Sequence, residues 1–311
     1  MVDFRVVFVG GMGRSGSTLL ERLLGELPEA CSLGEVVHLW QRGLVDNERC
    51  GCGCPFYECP FWRAVGVRAF GGWDQLEPTQ VLALRGSVDR TRFVPRLLRG
   101  QLAAEQHARL LRYVELYHRL YAAVAAQTGC SIVVDSSKHA SLAACLRWGL
   151  PAELRIVHVV RDPRAVADAW LKHRLRPEAT ATSPEQVMAR TNPARTAVHW
   201  SAQNLAFSGL AARGIPTRQV RYEDFAAQPQ QELQSLARFV GCTDVHGAEW
   251  PFSGTTTARL APAHTVSGNP ARFGAGEVPV RFDESWRERL GWRHRLLVSA
   301  LTAPVRNRYG Y

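Results

Sequence analysis

The sequence has no long apolar run. Nothing in its 311 residues approaches the roughly 18 consecutive apolar positions that a bilayer-spanning helix requires. The six or so apolar residues near the start are broken by Gly10 and Gly11 and have neither a basic flank nor a small-residue cleavage site. A secretory leader is therefore not expected, and a cytoplasmic enzyme is. Lysine runs and basic low-complexity arms are missing too. Lys plus Arg number 38 against 28 Asp plus Glu, a formal charge of +10, but the arginines are scattered among apolar residues. A basic balance suits an anionic ligand, nucleic acid or an acidic membrane surface without choosing among them, and it is the scattered placement of the arginines that argues against nucleic acid as a partner. Paired CxxC motifs are absent as well. Four of the eight cysteines lie in CGCGCPFYEC (Cys50, Cys52, Cys54, Cys59), and a reducing compartment argues against disulfides. Packing or a redox-labile loop is the first reading of this cluster; a zinc site and a catalytic thiol stay open.

What is present is the composition of a folded α/β protein, 46% hydrophobic and 21% charged. Residues 8–20 read FVGGMGRSGSTLL. The preceding DFRVVFVG has the β-branched and aromatic content of a buried strand, and TLLERLLGEL has leucines at helical spacing. A Gly-rich turn between strand and helix aims backbone N–H groups and the positive end of a helix at one point, which suits a phosphate. A short strand-like piece ends at LGE (33–35), and a Cys/Pro/Gly/Trp-rich segment runs to about residue 75. Residues 101–127 have helical spacing. SIVVDSSK (131–138) and ELRIVHVV (153–160) predict strands, each with a polar turn and a helix after it; Pro163 suits the first helical position. PARTAVHWSAQNLAFSGLAAR predicts a long helix, TRQVRYEDF a strand with its exit turn, and PQQELQSLARFVG a helix closed by Gly241. Residues 252–282, rich in Gly, Pro, Thr and Ser, predict a lid or a poorly ordered loop. DESWRERLGWRHRLLVSALTAP reads as helix broken near Gly291.

Strands alternating with helices predict a single α/β domain over 1–311: a P-loop-like, three-layer parallel sheet with helices on both faces and an inserted region at 36–127. Ligands of such sheets lie beyond the C-terminal strand ends, where Arg14, Lys138, Arg161 and Tyr222 fall. The first loop nearly fits a Walker A motif, since Gly11 and Gly16 have the right separation, but Ser17 stands where that motif needs lysine. A kinase using ATP and Mg²⁺ also needs a carboxylate at a strand end. The aspartate of IVVDSSK is followed closely by a lysine that would compete with the metal.

On these motifs the chain resembles the sulfotransferases that use 3′-phosphoadenosine 5′-phosphosulfate (PAPS). GMGRSGSTLL looks like their 5′-phosphosulfate loop in the arginine form of the carbohydrate and tyrosylprotein branches. VVRDPRAVADAW resembles the strand and helix that hold the 3′-phosphate. VRYEDF is similar to the strand and turn that approach the nucleotide, and HTVSGNPARF to the C-terminal loop that closes over it. The likeness runs in order from about residue 5 to about 275.

The resemblance implies a sulfuryl transfer from PAPS to a hydroxyl of a small-molecule acceptor, with adenosine 3′,5′-bisphosphate as product and no metal. Gly13, Arg14, Ser15, Gly16, Ser17 and Thr18 would wrap the 5′-phosphate, and Arg14 would neutralise the leaving group; a solvated loop arginine is the plain alternative. Arg161 would hold the 3′-phosphate by its guanidinium fork, unless it pairs with Asp162. The serine common eight residues later is Ala169 here, and Asn269 or Arg272 of the C-terminal loop could replace that contact; Ser267 of the same loop could add a further donor. Glu35 matches a general base, with His38 as its rival and helix capping as its plain role. Lys138 matches a lysine that stabilises developing charge, unless it pairs with Asp135. Tyr222 would lie near the adenine or a phosphate. Residues 36–127, with much of the aromatic content, would shape the acceptor pocket for a phenol, lipid, glycolipid or bacterial natural product. A P-loop kinase and a non-catalytic nucleotide-binding module are the competing readings.

Overall fold

A computed structural model describes residues 3–172, 187–242 and 250–311. Strand β1 (Arg5–Gly11) is buried from Val6 onward and leads through the glycine-rich loop into α1 (Ser17–Gly25) and the short β2 (Ala30–Ser32). A helical region follows: α2 (Pro60–Phe70), α3 (Pro78–Val88), α4 (Val94–Arg99) and the long α5 (Ala104–Thr128). The chain then alternates: β3 (Ile132–Lys138), α6 (Ala140–Leu146), β4 (Glu153–Val160), α7 (Pro163–Leu171), α8 (Pro193–Ala211) and β5 (Thr217–Arg221). All five strands are parallel, in the order β2-β3-β1-β4-β5. The earliest strand is thus central, flanked by β3 and β4, and the chain crosses from one half of the sheet to the other over it. That is the place where open parallel sheets put their ligands.

Alternation along β1 divides the core. Val6 and Phe8 face the layer built from α2 to α6, and Val7 and Val9 face α1 and α10 (Pro229–Val240), which comes after α9 (Tyr222–Ala227). The expected exit turn at YEDF is therefore helix α9. Pro163 occupies the first turn of α7, and Asp162 caps it by accepting the Arg164 N–H at 2.8 Å. Gly241 closes α10 in the left-handed conformation, φ +80°. Among the described residues no helix is long and apolar enough to cross a membrane.

One expectation is corrected. Residues 252–282 are not a loop throughout: β6 (Phe252–Ser253), β7 (Thr257–Leu260) and β8 (Gly276–Pro279) form an antiparallel sheet in sequence order. Ala258 and Leu260 alternate inward onto the core beside α1, and the glycine at 254, φ +75°, lies in the turn between β6 and β7. The Gly and Thr content marks hairpin chemistry, not lack of structure. In the region 36–127, Trp40, Phe56, Trp62, Phe70, Trp73, Tyr113, Tyr117 and Tyr121 are buried against one another and form core. The chain finishes with α11 (Trp286–Arg289) and α12 (Trp292–Arg306), broken at Gly291 as expected.

Candidate active site

Each strand of the parallel sheet delivers one candidate residue at or just beyond its C-terminal end: Glu35 after β2, Lys138 on β3, Arg14 after β1, Arg161 after β4 and Tyr222 after β5. Lys138 stands in register with Gly10 of the central strand, so the lysine borders the glycine-rich loop. Five non-glycine residues among those described have φ in the left-handed region, and three are candidates: Arg14 (+73°), Lys138 (+66°) and Ser267 (+55°). Such conformations cost of order 1–3 kcal/mol each and persist where the surroundings fix them.

The loop from Met12 to Gly16 is held from three sides. The Trp170 indole N–H donates to the Gly13 carbonyl at 3.0 Å, and Arg161 Nη1 donates to the Arg14 carbonyl at 3.2 Å. A Cβ at Gly16 would lie 2.1 Å from the Tyr222 ring, so only glycine (φ +88°) fits there. The Arg161 guanidinium lies over that ring at 4.8 Å, and the Arg14 guanidinium lies 5.4 Å from the Trp170 ring centroid. Ser17 and Thr18 open α1, where N–H groups have no carbonyl four residues back in the helix. Ser15 is buried, and its hydroxyl has no hydrogen-bond partner among the described residues; neither does Arg161 Nε. A buried polar group left unpaired is costly, so this cradle has donor capacity suited to an anion. Asp162 pairs with Arg164 (2.6 and 2.9 Å) instead of Arg161. Ala169 is half-buried on α7.

Glu35 and Lys138 form an ion pair, and His38 Nε2 lies 3.7 Å from the second carboxylate oxygen. Burial would raise the Glu35 carboxyl, but the Lys138 ammonium, with smaller contributions from Arg42 and His139, more than offsets it and holds the group below the ordinary carboxylate range. His38 is driven well below the usual histidine range by burial first and then by Arg42, His139, Arg85 and Lys138, so its imidazole is neutral at neutral pH. The alternative partner of Lys138, Asp135, is engaged elsewhere: Tyr121 Oη donates to it at 2.6 Å and the Ser137 N–H at 2.7 Å. Burial pushes its carboxyl up to about 6.

The C-terminal loop packs on Glu35. The Glu35 N–H donates to the Val266 carbonyl and the Val266 N–H to the Leu33 carbonyl, both at 2.8 Å, so the loop is stitched to the chain just beyond β2. Gly268 (φ +113°) packs against Glu35: a Cβ there would lie 2.8 Å from Glu35 Oε1 and displace the carboxylate. Ser267 is buried and its hydroxyl accepts from Arg42. Asn269 and Arg272 are placed differently from the expected phosphate contacts. The Asn269 side chain caps the following turn by accepting the Ala271 N–H. Arg272 is buried, its guanidinium donating to the carbonyls of Thr265 (2.6 Å) and Arg49 (2.5 Å), which makes it a strut. Arg22 of α1 reaches the same loop through the carbonyls of Arg272 and Ala261. Arg42, His139 and Trp170 carried no assigned role in the sequence; only Trp170 lay inside a quoted motif.

No family model matches the chain, and no curated protein sequence matches it significantly. Solved structures do. The chain is similar to the sulfotransferase domain of the Synechococcus PCC 7002 olefin synthase, with 18% identity, TM-score 0.47, and coverage of 96% of this chain and 95% of that one. It is similar to the sulfotransferase domain of the curacin biosynthetic pathway at 17% identity and TM-score 0.45, covering 96% and 98%. A sulfotransferase from Mycobacterium tuberculosis H37Rv matches at 19% identity and TM-score 0.40, covering 78% and 69%.

Proposed function

We propose that the protein transfers a sulfuryl group from PAPS to a hydroxyl of a small-molecule acceptor. The observation that carries this reading is the row of residues at the strand ends, with a buried carboxylate paired to a lysine on one side of the glycine-rich loop and Arg161 on the other. The loop N–H groups, the Ser15 hydroxyl and Arg14 would hold the 5′-phosphosulfate, and the Arg161 fork the 3′-phosphate. Glu35 takes the proton of the acceptor hydroxyl as its oxygen bonds to sulfur. The bond from sulfur to the bridging phosphate oxygen breaks, and Lys138 and Arg14 balance the charge left on the phosphate. The ion pair gives this step a trigger. When Lys138 turns towards the sulfuryl oxygens, Glu35 loses the partner that lowers it while burial still raises it, so the base strengthens as the donor arrives. A magnesium-dependent kinase would need a free strand-end carboxylate, and Asp135 is buried under Tyr121 and Ser137.

Calorimetric titration with adenosine 3′,5′-bisphosphate beside adenosine 5′-phosphate, in magnesium-free buffer, tests the reading. Tight binding of the bisphosphate alone is expected and would lead to an acceptor screen with labelled PAPS. Binding of ATP only after Mg²⁺ is added would turn the assignment to a kinase, and binding of none of them would leave no donor site.

A further inference from the structure

The cysteine-rich loop and the C-terminal loop meet in a cluster that sulfuryl transfer does not use. Cys50 Sγ and Cys59 Sγ are 3.7 Å apart, as are Cys52 Sγ and Cys59 Sγ. His264 Nδ1 lies 3.8 Å from Cys50 Sγ and 3.3 Å from Cys59 Sγ, and all four atoms fall within 4.8 Å of one another. These separations are far from the roughly 2.05 Å of a disulfide, and the cysteines are free. They are close to the edges of a zinc tetrahedron: bonds of about 2.3 Å to sulfur and about 2.0 Å to nitrogen place sulfurs about 3.8 Å apart and nitrogen about 3.5 Å from sulfur. We propose that Cys50, Cys52, Cys59 and His264 bind one structural zinc ion that fastens the C-terminal loop over Glu35.

The surroundings fit a closed site. The His264 ring is fixed by parallel stacking on Phe61, with centroids 4.8 Å apart and planes 9° apart, and its Nδ1 faces the sulfurs. The two segments also touch through backbone: the Gly51 N–H donates to the Thr265 carbonyl at 2.8 Å, and a Cβ on Gly51 would lie 2.4 Å from the Ala263 carbonyl oxygen. Cys54, in the same loop, stays outside the cluster. Three thiolates and a neutral imidazole give the site a net charge of −1 with Zn²⁺, and metal uptake releases the three thiol protons to solvent. Arg272 brings compensating charge, since it donates to the carbonyls of Arg49 and Thr265, the residues next to Cys50 and His264. Four protein ligands leave no open position, so the ion braces structure and takes no part in the transfer. Two residues beyond His264, Val266 is bonded to Leu33 and Glu35. The metal is thereby coupled to the placement of Glu35, Ser267 and Gly268.

The test is elemental analysis of the untagged full chain purified without chelator, together with the absorption spectrum after exchange into Co²⁺. About one zinc per chain is expected, with the d–d bands of tetrahedral cobalt and a thiolate-to-cobalt charge-transfer band. Cys54→Ser should keep the metal, whereas Cys59→Ser and His264→Ala should lose most of it. Should those variants fail to fold, the cobalt spectrum of the unsubstituted chain decides by itself. Two results overturn the proposal: a chain that neither carries zinc nor gives the tetrahedral cobalt spectrum, and a folded Cys59→Ser variant that binds metal as well as the parent. Neither result depends on PAPS binding.

Discussion

Glu35 is under two opposed influences, burial and Lys138, and removing one exposes the other. Glu35→Gln keeps the size of the side chain and removes the base, so turnover should fall about 10²- to 10⁴-fold while affinity for adenosine 3′,5′-bisphosphate is unchanged. Near-normal turnover would move the base to His38, which is neutral and adjacent. In the parent, the carboxylate stays ionised until the pH drops below its depressed range, so the acid limb of the rate profile lies low. In Lys138→Ala the attraction is gone and burial remains; the acid limb of kcat/KM should move to higher pH, and an unmoved limb would mean that another group is titrating. Arg161→Ala should weaken 3′-phosphorylated nucleotides about 10- to 100-fold, the worth of a charge-assisted fork, with little effect on adenosine 5′-phosphate. The residues proposed for these roles stand out as motifs in the sequence. What was not legible was the partner of each charge: Asp162 next to Arg161 and Asp135 near Lys138 were the sequence neighbours, yet capping and burial engage both elsewhere. Asp162 turns to Arg164 and Asp135 to Tyr121 and the Ser137 N–H, which leaves Lys138 to Glu35.

At the scale of elements, α1 and β2 are joined by Glu21, which is buried and accepts from the Ser32 hydroxyl and, at 3.1 Å, from the Gly34 N–H. Burial pushes its carboxyl from an ordinary 4.5 up to about 7, and the two hydrogen bonds with the Arg22 and Lys138 charges only partly offset it. A folded-state value above the unfolded one means that the folded chain holds the proton more tightly. This contribution is complete below about 4.5 and is lost as the pH rises through about 7. It amounts to about 3 kcal/mol at most. Glu21→Gln should flatten the pH dependence of unfolding free energy across that window and be at least as stable as the parent at about pH 8, as read by urea denaturation. A steeper dependence in the variant would contradict the assignment. The five parallel strands and the βα turns were legible because β-branched runs followed by Gly, Asp or Pro turns are local signals. The small antiparallel sheet and the aromatic core were not. Two- to four-residue strands give too little alternation to recognise, and a tryptophan-rich stretch looks the same in sequence whether its rings face one another or a ligand. The cysteine cluster failed for a third reason: His264 is over 200 residues from Cys50, so no spacing rule connects them.

For the whole molecule, the positive charge is almost entirely arginine: Lys138 and Lys172 are the only lysines in the chain. Arginine keeps its charge and its planar fork in partly buried settings, which fits its use as a strut at Arg22, Arg272 and Arg161. Two lysines also make amine chemistry a clean probe. The Lys172 side chain is 28% exposed and that of Lys138 11%, with its ammonium on Glu35. An acylating reagent followed by peptide mass spectrometry should modify Lys172 first, and adenosine 3′,5′-bisphosphate should slow Lys138 further; equal rates would show that the ion pair opens readily. The strand order has a consequence for biosynthesis. β1 is made before both of its neighbours, β3 and β4, with Arg5 in register with Ile132 and Glu153. At ordinary translation speeds the central strand waits roughly ten seconds for its first partner. Through that interval Val6 to Val9 are apolar residues without a sheet to enter, and α1, made directly after them and packed on Val7 and Val9 in the finished fold, is the nearest element that can shield them.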